Sequence, residues 1–213
     1  MKKKGMLITI EGIHGAGKTT ICKMLVEKLE KMGVKVILSN DQAGTKLGKK
    51  IRKINLEKDY SIDILTEALL IAAARRQNVA EVIKPHLLKG DVIINERYTD
   101  AYFAFQGYAR GLPQEFLEYI NSVIIEGINP DLTILLDLDP QMALTRLQGY
   151  QKHRIEKEPL QFHKKVRLGY LKQAKKFPNR IKIINASKAI NYVFKDVWHI
   201  VKEYLIAKGM IKC

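Results

Sequence analysis

The sequence predicts an α/β fold in which a five-stranded parallel sheet carries helices on both faces. Short runs of apolar, β-branched residues alternate along the 213-residue chain with longer segments of helical periodicity, and this alternation is typical of parallel sheets. The short runs are apolar at nearly every position, as expected for strands buried on both faces. Neither an internal repeat nor a Ser/Gly-rich linker divides the sequence. We therefore expect one domain over residues 1–213.

The elements follow one another in a regular order. Strands are predicted where β-branched residues are concentrated, at residues 6–10, 34–38, 92–94, 132–136 and 181–184. Helices are predicted where apolar residues recur at helical spacing, at residues 18–31, 62–88, 113–126, 141–147, 158–176 and 189–208. Residues 148–157 are polar and basic and contain Gly149, so we expect a short mobile lid there.

Composition limits the classes of function. The chain has 37 Lys and Arg residues against 22 Asp and Glu residues, a formal net charge of +15 that suggests polyanionic partners. Its longest apolar stretches, residues 68–74 and 131–138, are shorter than the roughly 20 residues of a membrane-spanning helix. Two cysteines, Cys22 and Cys213, are too few for a disulfide framework or a metal cluster. We therefore expect a cytoplasmic protein without a membrane partner.

The strongest motif is a glycine-rich loop between the first predicted strand and the first predicted helix. It matches the pattern G-x-x-x-x-G-K-[ST], and the predicted ATP-binding residues are Gly12, Ile13, His14, Gly15, Ala16, Gly17, Lys18, Thr19 and Thr20. Glycines let backbone N–H groups approach a phosphate at a helix N-terminus. Lys18 adds a mobile charge, and the Thr19 hydroxyl suits Mg²⁺. A chance glycine-rich turn is the alternative, and the strand-loop-helix context argues against it.

A charged pair follows the third predicted strand. Glu96 and Arg97 lie at the carboxyl end of that strand, the edge at which open α/β sheets bind ligands. Glu96 could hold Mg²⁺ through water, and the planar fork of Arg97 could bridge two phosphates. Both could instead be solvated loop residues. A bridging arginine favours phosphoryl transfer to a second molecule over hydrolysis.

Three further segments resemble the thymidylate kinase family. Residues 96–107 keep, without a gap, the spacing of its D-R-Y-x-x-S-x-x-A-Y-Q-G signature. Residues 69–77 are similar to its L-L-F-x-A-x-R-x-Q helix, and residues 162–171 to its F-H-x-x-V-R-x-G-Y-L segment. The resemblance covers nearly the whole chain. It implies a P-loop nucleoside monophosphate kinase fold, ATP and Mg²⁺, dTMP as the phosphate acceptor, and a homodimer packed through helices.

The resemblance also implies roles for single residues. Arg75 matches an arginine that holds the acceptor's 5′-phosphate, and Arg97 matches one that touches the same phosphate near the transfer point. Gln106 matches the residue that hydrogen-bonds the thymine edge, and Phe105 an aromatic that disfavours a 2′-hydroxyl. Family members with a glycine at the position of Gly15 draw a catalytic arginine from the lid. Here the matching lid residue is Arg154, and the same basic segment offers Lys152 and Lys157 as competing cations.

Several substrate-site positions depart from the family pattern. His14 stands where an acidic residue usually binds the 3′-hydroxyl, and Ile71 replaces the phenylalanine that stacks on thymine. Glu96 replaces an aspartate, and Tyr102 replaces a small residue. These changes surround the acceptor, so we expect intact phosphoryl transfer with relaxed or altered base or sugar selectivity.

The sequence therefore predicts transfer of the γ-phosphoryl group of ATP to dTMP. The predicted catalytic residues are Lys18, Glu96, Arg97 and Arg154, with Thr19 and Glu96 at the metal. A kinase for another pyrimidine monophosphate is one alternative. A nucleic-acid-binding P-loop protein is the other, but no basic helix or known reader motif accompanies the charge of +15.

Overall fold

A computed structural model describes residues 5–57, 60–149 and 153–212 of the chain. Its five strands form one parallel sheet in the order β2-β3-β1-β4-β5. They are β1 (Met6–Glu11), β2 (Val36–Asn40), β3 (Val92–Glu96), β4 (Leu132–Asp137) and β5 (Ile181–Asn185). The predicted fold class is confirmed.

Helices and helical turns connect the strands. The α-helices are α1 (Lys18–Lys31), α2 (Lys46–Leu56), α3 (Ile64–Asn78), α4 (Lys84–Lys89), α5 (Thr99–Tyr102), α6 (Gln114–Ile125), α7 (Pro140–Arg146), α8 (Leu160–Lys176) and α9 (Ile190–Ala207). Two π-helical turns span Val79–Ile83 and Phe103–Ala109, and a 3₁₀ turn spans Arg154–Lys157. Within the described ranges, no helix combines the length and hydrophobicity needed to cross a membrane.

A separate hydrophobic cluster lies on each face of the sheet, between the strands and the helices. Strand residues alternate between the faces, so that Ile8 packs with Leu25 of α1 and Val197 of α9. Its neighbour Leu7 packs on the other face with Ala68 of α3. The central strands β1, β3 and β4 are buried on both sides, which explains why their sequences are mostly apolar. The edge strands β2 and β5 are partly exposed, at Leu38 and Ile183 among other residues.

Several element boundaries differ from the sequence prediction. Strand β2 begins at Val36 and not at residue 34, because the N–H of Val34 donates to the carbonyl of Leu29 and closes helix α1. The strands also extend to polar residues, among them Glu11 and Glu96. These polar ends lie at the carboxyl edge of the sheet, where they are available for chemistry.

The helix predicted over residues 62–88 is present as one continuous helical segment, but it runs from Ile64 to Lys89 and contains a π-helical turn at Val79–Ile83. Helix α3 begins at Ile64 because the Asp63 carboxylate accepts hydrogen bonds from two N–H groups of the first turn. A π-helical turn then precedes α4, near Pro85, which lacks the N–H that a continuous α-helix would use. Helix α2 was not predicted, although Leu47, Ile51 and Ile54 recur along it at helical spacing. Thr45 caps it by accepting from the N–H of Gly48 at 2.9 Å.

Some sequence predictions remain open. Of the predicted lid, residues 150–152, which include Lys152, lie outside the described residues. The rest of the lid includes the 3₁₀ turn Arg154–Lys157. Cys22 is buried in the core, whereas Cys213 lies outside the described residues. The extent of the domain, residues 1–213, stays a prediction.

Candidate active site

A cavity of about 520 Å³ opens at the carboxyl edge of the sheet. One side, which we call the loop half, consists of the glycine-rich loop of residues 12–19 together with Glu96. The opposite side, the helix half, consists of side chains from α2, α3 and residues 99–109. Both halves line the same cavity, and so do the predicted site residues His14, Gly15, Gly17, Lys18, Thr19, Thr20, Ile71, Arg75, Glu96, Arg97, Tyr102, Phe105 and Gln106.

The loop half depends on glycines at two close contacts. Gly12 and Gly15 have φ angles of 136° and 79°, in the left-handed region that disfavours other residues. A Cβ at Gly12 would lie 2.5 Å from the carbonyl oxygen of Leu136, and one at Gly15 would lie 2.7 Å from that of Ala143. The buried residues Ile13 and Ala16 complete the loop. The loop therefore leads directly into the N-terminus of α1, which favours anions.

Lys18 is nearly buried behind this loop. Its Nζ donates to the carbonyl oxygen of Ile13 at 2.7 Å. Burial, followed by the charge of Arg97, lowers the pKa of Lys18 to about 7 although Glu96 opposes the shift. A bound phosphate would favour the protonated ammonium, so Lys18 is suited to bind an anionic ligand.

Thr19 and Glu96 bring hard oxygen ligands to the mouth of the loop. The Thr19 hydroxyl lies 3.0 Å from both carboxylate oxygens of Glu96, to which it donates. In the described part of the chain, no group of three or more His, Cys, Asp or Glu side chains could hold a metal. Mg²⁺ nevertheless needs only one or two protein oxygens when phosphate and water complete its shell. Thr19 and Glu96 fit that requirement.

Arg97 connects the two halves of the cavity. It has a φ angle of 63°, which is unusual for a residue with a side chain. Its Nη1 donates to the carbonyl oxygen of Gly12 and to the Tyr170 hydroxyl, both at 2.9 Å, and its guanidinium lies 5.0 Å from the centre of the Phe105 ring. Nη2 is buried without a hydrogen-bond partner among the described residues. This N–H group is available for a ligand.

The buried carboxylate of Glu11 holds Arg97 in place through the Tyr170 hydroxyl. Glu11 accepts from the Tyr170 hydroxyl at 2.9 Å and from the Tyr98 N–H at 2.7 Å. Burial, together with the nearby charge of Asp100, raises the pKa of Glu11 to about 7. The chain from Glu11 through Tyr170 to Arg97 fixes the guanidinium against the glycine-rich loop.

Arg75 lies fully buried in the helix half. Its Nε and Nη2 donate to the two carboxylate oxygens of Asp41 at 2.7 Å each, and Nη2 also donates to the Tyr98 carbonyl. The guanidinium stacks on Tyr102, 4.9 Å from the ring centre. Within the described ranges only Nη1 lacks a partner. Asp41 thus compensates the charge of Arg75 and leaves one nitrogen for a ligand.

Aromatic and apolar side chains line the rest of the helix half. The Tyr102 hydroxyl donates to the Ala68 carbonyl and is therefore occupied. Ile71 is buried, and Phe105 meets the ring of His14 edge-on at 5.7 Å. Burial, then the charges of Arg97 and Lys18, lowers the pKa of His14 well below its ordinary value. The imidazole is therefore neutral at physiological pH.

The structure places Arg154 of the 3₁₀ turn against the helix half, although Arg154 is not among the residues that line the cavity. It donates to the Glu67 carboxylate and to the carbonyl oxygen of Asn55 on α2, the latter at 3.3–3.4 Å. Its predicted catalytic role therefore requires a movement toward the loop half and stays a prediction. Lys157, its competitor, is exposed.

Sequence reasoning missed several cavity residues, among them Glu67, Arg146 and Arg52. Glu67 accepts hydrogen bonds from Gln106, Arg110 and Arg154. Arg146 donates to the Ala186 carbonyl at 3.0 Å and lines the cavity beside Gly15. Arg52 is exposed at the cavity wall on α2. Arg52 belongs to a helix that was not predicted, and no local pattern distinguishes Glu67 or Arg146.

Comparison with known proteins gives one consistent result. The family model for thymidylate kinase matches residues 10–197. A thymidylate kinase from Caldanaerobacter subterraneus subsp. tengcongensis is 42% identical over 202 residues, covering 95% of this chain and 97% of that protein. One from Pelotomaculum thermopropionicum is 43% identical over 207 residues and 96% of each chain. The crystal structure of thymidylate kinase from Ehrlichia chaffeensis has a TM-score of 0.78 at 31% identity, covering 92% of this chain and 98% of that one. The chain belongs to the thymidylate kinase family.

Proposed function

We propose that the protein is an ATP-dependent thymidylate kinase that transfers the γ-phosphoryl group of ATP to dTMP, giving ADP and dTDP. The observation that carries the proposal is the shared cavity. A phosphate-binding loop and a nucleoside-sized pocket face each other, and Arg97 lies between them. Membership of the family specifies the reaction. Such a site catalyses transfer mainly by positioning and charge.

In the loop half, backbone N–H groups and Lys18 would bind the β- and γ-phosphates of ATP. Mg²⁺, when bound, neutralises charge on these phosphates. Thr19 and Glu96 would hold it, since their oxygens lie together at the mouth of the loop. Arg146 borders the same region between Gly15 and Ala186, where it would contact the donor nucleotide.

In the helix half, cations would bind the 5′-phosphate of dTMP. Arg97 offers Nη2 and Arg75 offers Nη1, both of which lack partners among the described residues. We add Arg52, because it is exposed at the cavity wall and Asp41 already compensates Arg75. Arg97 would thus touch the acceptor phosphate while it is held against the donor loop. That bridging position brings the two phosphates together.

The lid would complete the site after both substrates bind. Arg154 would leave Glu67 and Asn55 and supply charge to the transferring phosphoryl group. A lid that closes only on bound substrate keeps water from accepting the phosphate.

We also propose a homodimer that packs through helices. Helix α3 packs against α6, and both expose large apolar side chains on the surface. Leu65, Leu69, Tyr119 and Val123 are 43%, 45%, 68% and 58% exposed. Apolar side chains grouped on neighbouring helices favour association.

The proposed location is the cytoplasm. Cys22 is a free, buried cysteine within the core. A free thiol is stable in a reducing compartment.

A panel of nucleoside monophosphates assayed with ATP and Mg²⁺ tests the function. We expect dTDP from dTMP, and a loss of kcat/KM of about 10²-fold or more in Arg97→Ala because it removes charge from the transfer point. Arg76→Ala, on the same helix as Arg75, is the control; its exposed side chain pairs with Glu126. The proposal fails if no monophosphate is phosphorylated, and the role of Arg97 fails if its variant stays fully active.

A further inference from the structure

We propose that Glu67 sets the base selectivity of the acceptor pocket by fixing the side-chain amide of Gln106 in one orientation. The inference rests on the proposed function, because it concerns the base of the nucleoside monophosphate. Glu67 acts through Gln106 and is therefore a positioning residue. The chemical class that it selects is a pyrimidine with an N3–H group.

Glu67 and Gln106 form a buried pair in the wall of the cavity. Each is only 1% exposed. Glu67 lies on α3, and Gln106 lies in the π-helical turn after α5. The Gln106 Nε2 donates to Oε1 of Glu67 at 2.9 Å. The two residues come from elements that are distant in sequence, so the contact depends on the tertiary fold.

This contact determines which end of the amide faces away from Glu67. An ionised carboxylate accepts hydrogen bonds but cannot donate them, so only the nitrogen end of the amide can face it. The oxygen end of Gln106 must then point elsewhere. Its Oε1 is buried and has no hydrogen-bond partner in the described part of the chain. A buried acceptor without a partner is unfavourable, and a donor on a bound ligand would satisfy it.

Two arginines keep Glu67 ionised. Burial alone would raise the pKa of Glu67, but the hydrogen bond from Gln106 and the charges of Arg110 and Arg154 outweigh it and place the pKa below its ordinary value. Arg110 is itself fixed by Glu158, with 2.6 Å between Nη1 and Oε1, and by stacking on Phe162. Arg110 therefore holds Glu67 even when the lid residue Arg154 moves away.

With its oxygen presented to the base, the Gln106 amide can discriminate between pyrimidines of nearly equal shape. Thymine and uracil carry an N3–H donor that matches the free Oε1 of Gln106. Cytosine carries an unprotonated N3, so two acceptors would face each other without a proton between them. Sites built to bond an N–H or O–H group reject analogues that lack it far more strongly than apolar pockets reject a missing methyl group. We therefore expect dTMP and dUMP to be accepted and dCMP to be rejected.

The decisive variant is Glu67→Gln, assayed by kcat/KM for dTMP, dUMP and dCMP. The new amide at position 67 can donate to Oε1 of Gln106, which allows Gln106 to turn and present its nitrogen to the base. We expect the ratio of kcat/KM for dCMP over dTMP to rise by about tenfold or more. A general loss of packing would lower kcat/KM for all three monophosphates together and leave the ratio of dCMP over dTMP unchanged.

Two further variants test the mechanism. Glu158→Gln makes the same change of charge on a carboxylate that pairs with Arg110, and it should leave the base ratio unchanged. The double variant Glu67→Gln with Gln106→Glu places the donor on α3 and returns an acceptor to position 106. It should restore the preference for dTMP over dCMP.

The outcomes are distinguishable. If wild-type protein phosphorylates no monophosphate, the proposed function fails. If wild type prefers dTMP but folded Glu67→Gln keeps the same base ratio, the role of Glu67 is overturned while the function stands. If Glu67→Gln does not fold, Glu67→Asp decides, since it keeps an acceptor-only group. Retained rejection of dCMP supports the inference, and a relaxed ratio overturns it.

Discussion

The loop half of the cavity is made mainly by one continuous segment, residues 12–19, to which β3 adds Glu96, whereas the helix half is assembled from several separate elements. The loop half uses backbone N–H groups and two glycines, Gly12 and Gly15, at which any Cβ would clash with a backbone carbonyl oxygen. The helix half uses side chains that hold one another, as Asp41 holds Arg75 and Glu67 holds Gln106. A site formed by backbone geometry can be recognised from a short sequence motif. A site formed by side chains that hold one another depends on residues distant in sequence, and its wall can differ from the family pattern, as at Ile71.

The largest expected effect is in the loop half. Lys18→Ala removes a charge that no other residue of the loop supplies, so we expect kcat to fall about 10³-fold. The KM for dTMP should change little, because the helix half is untouched. Steady-state kinetics with each substrate varied measures both values.

Lys23→Ala on the same helix provides the control, since Lys23 is exposed. A similar loss in this control, or a large rise in the KM for dTMP in Lys18→Ala, would contradict the separation of the two halves.

The next effect concerns the junction between the halves, where Glu11 supports Tyr170 and Arg97. The pKa of Glu11 is raised from 4.5 to about 7, so between these pH values the folded protein binds more protons than the unfolded chain. The free energy of unfolding should therefore fall as pH rises through this window, by about 2–3 kcal/mol from this group. Glu11→Gln should remove that slope.

Denaturant unfolding at a series of pH values between 4.5 and 7 measures this difference between wild type and variant. Glu27→Gln, which changes an exposed glutamate on α1, should keep the wild-type slope. Parallel profiles for wild type and Glu11→Gln would show that Glu11 is not the titrating group.

The smallest effect lies in the helix half. Ile71→Phe restores the aromatic residue typical of the family at the cavity wall, and stacking on a base is worth about 1 kcal/mol. We expect the KM for dTMP to fall a few-fold with kcat nearly unchanged, as measured by initial rates. A higher KM would mean that the phenylalanine does not fit beside Phe105 and Tyr102.

The two halves also differ in how far the sequence predicts them. The central strands were predictable because burial on both faces makes them mostly apolar, and the edge strands because they are rich in β-branched residues. The loop was predictable because glycine, lysine and threonine keep a fixed spacing. Helix α2 was missed even though Leu47, Ile51 and Ile54 recur along it at helical spacing, and the position of Arg52 was missed with it. The role of Glu67 could not be predicted, since its partner Gln106 is 39 residues away and only the packing of α3 brings them together.

Arg154 shows a different limit. The family resemblance assigns it to the lid and to catalysis, but the folded chain places it on Glu67 and Asn55. The sequence indicates that Arg154 is a cation suited to phosphate. Its position in the folded chain depends on the carboxylate that it contacts, which is that of Glu67. Ile71, His14 and Tyr102 are likewise visible in the sequence as departures, yet only their surroundings show that the His14 imidazole is neutral and the Tyr102 hydroxyl occupied.

The central claim is that the two halves form one site for direct transfer between nucleotides. Phosphorus NMR of the protein with ATP, Mg²⁺ and dTMP follows every phosphate in one sample. We expect ADP and dTDP to appear in equal amounts, inorganic phosphate to stay near background, and ATP to be stable when dTMP is left out. Release of inorganic phosphate in place of dTDP, or ATP consumption independent of dTMP, would contradict it.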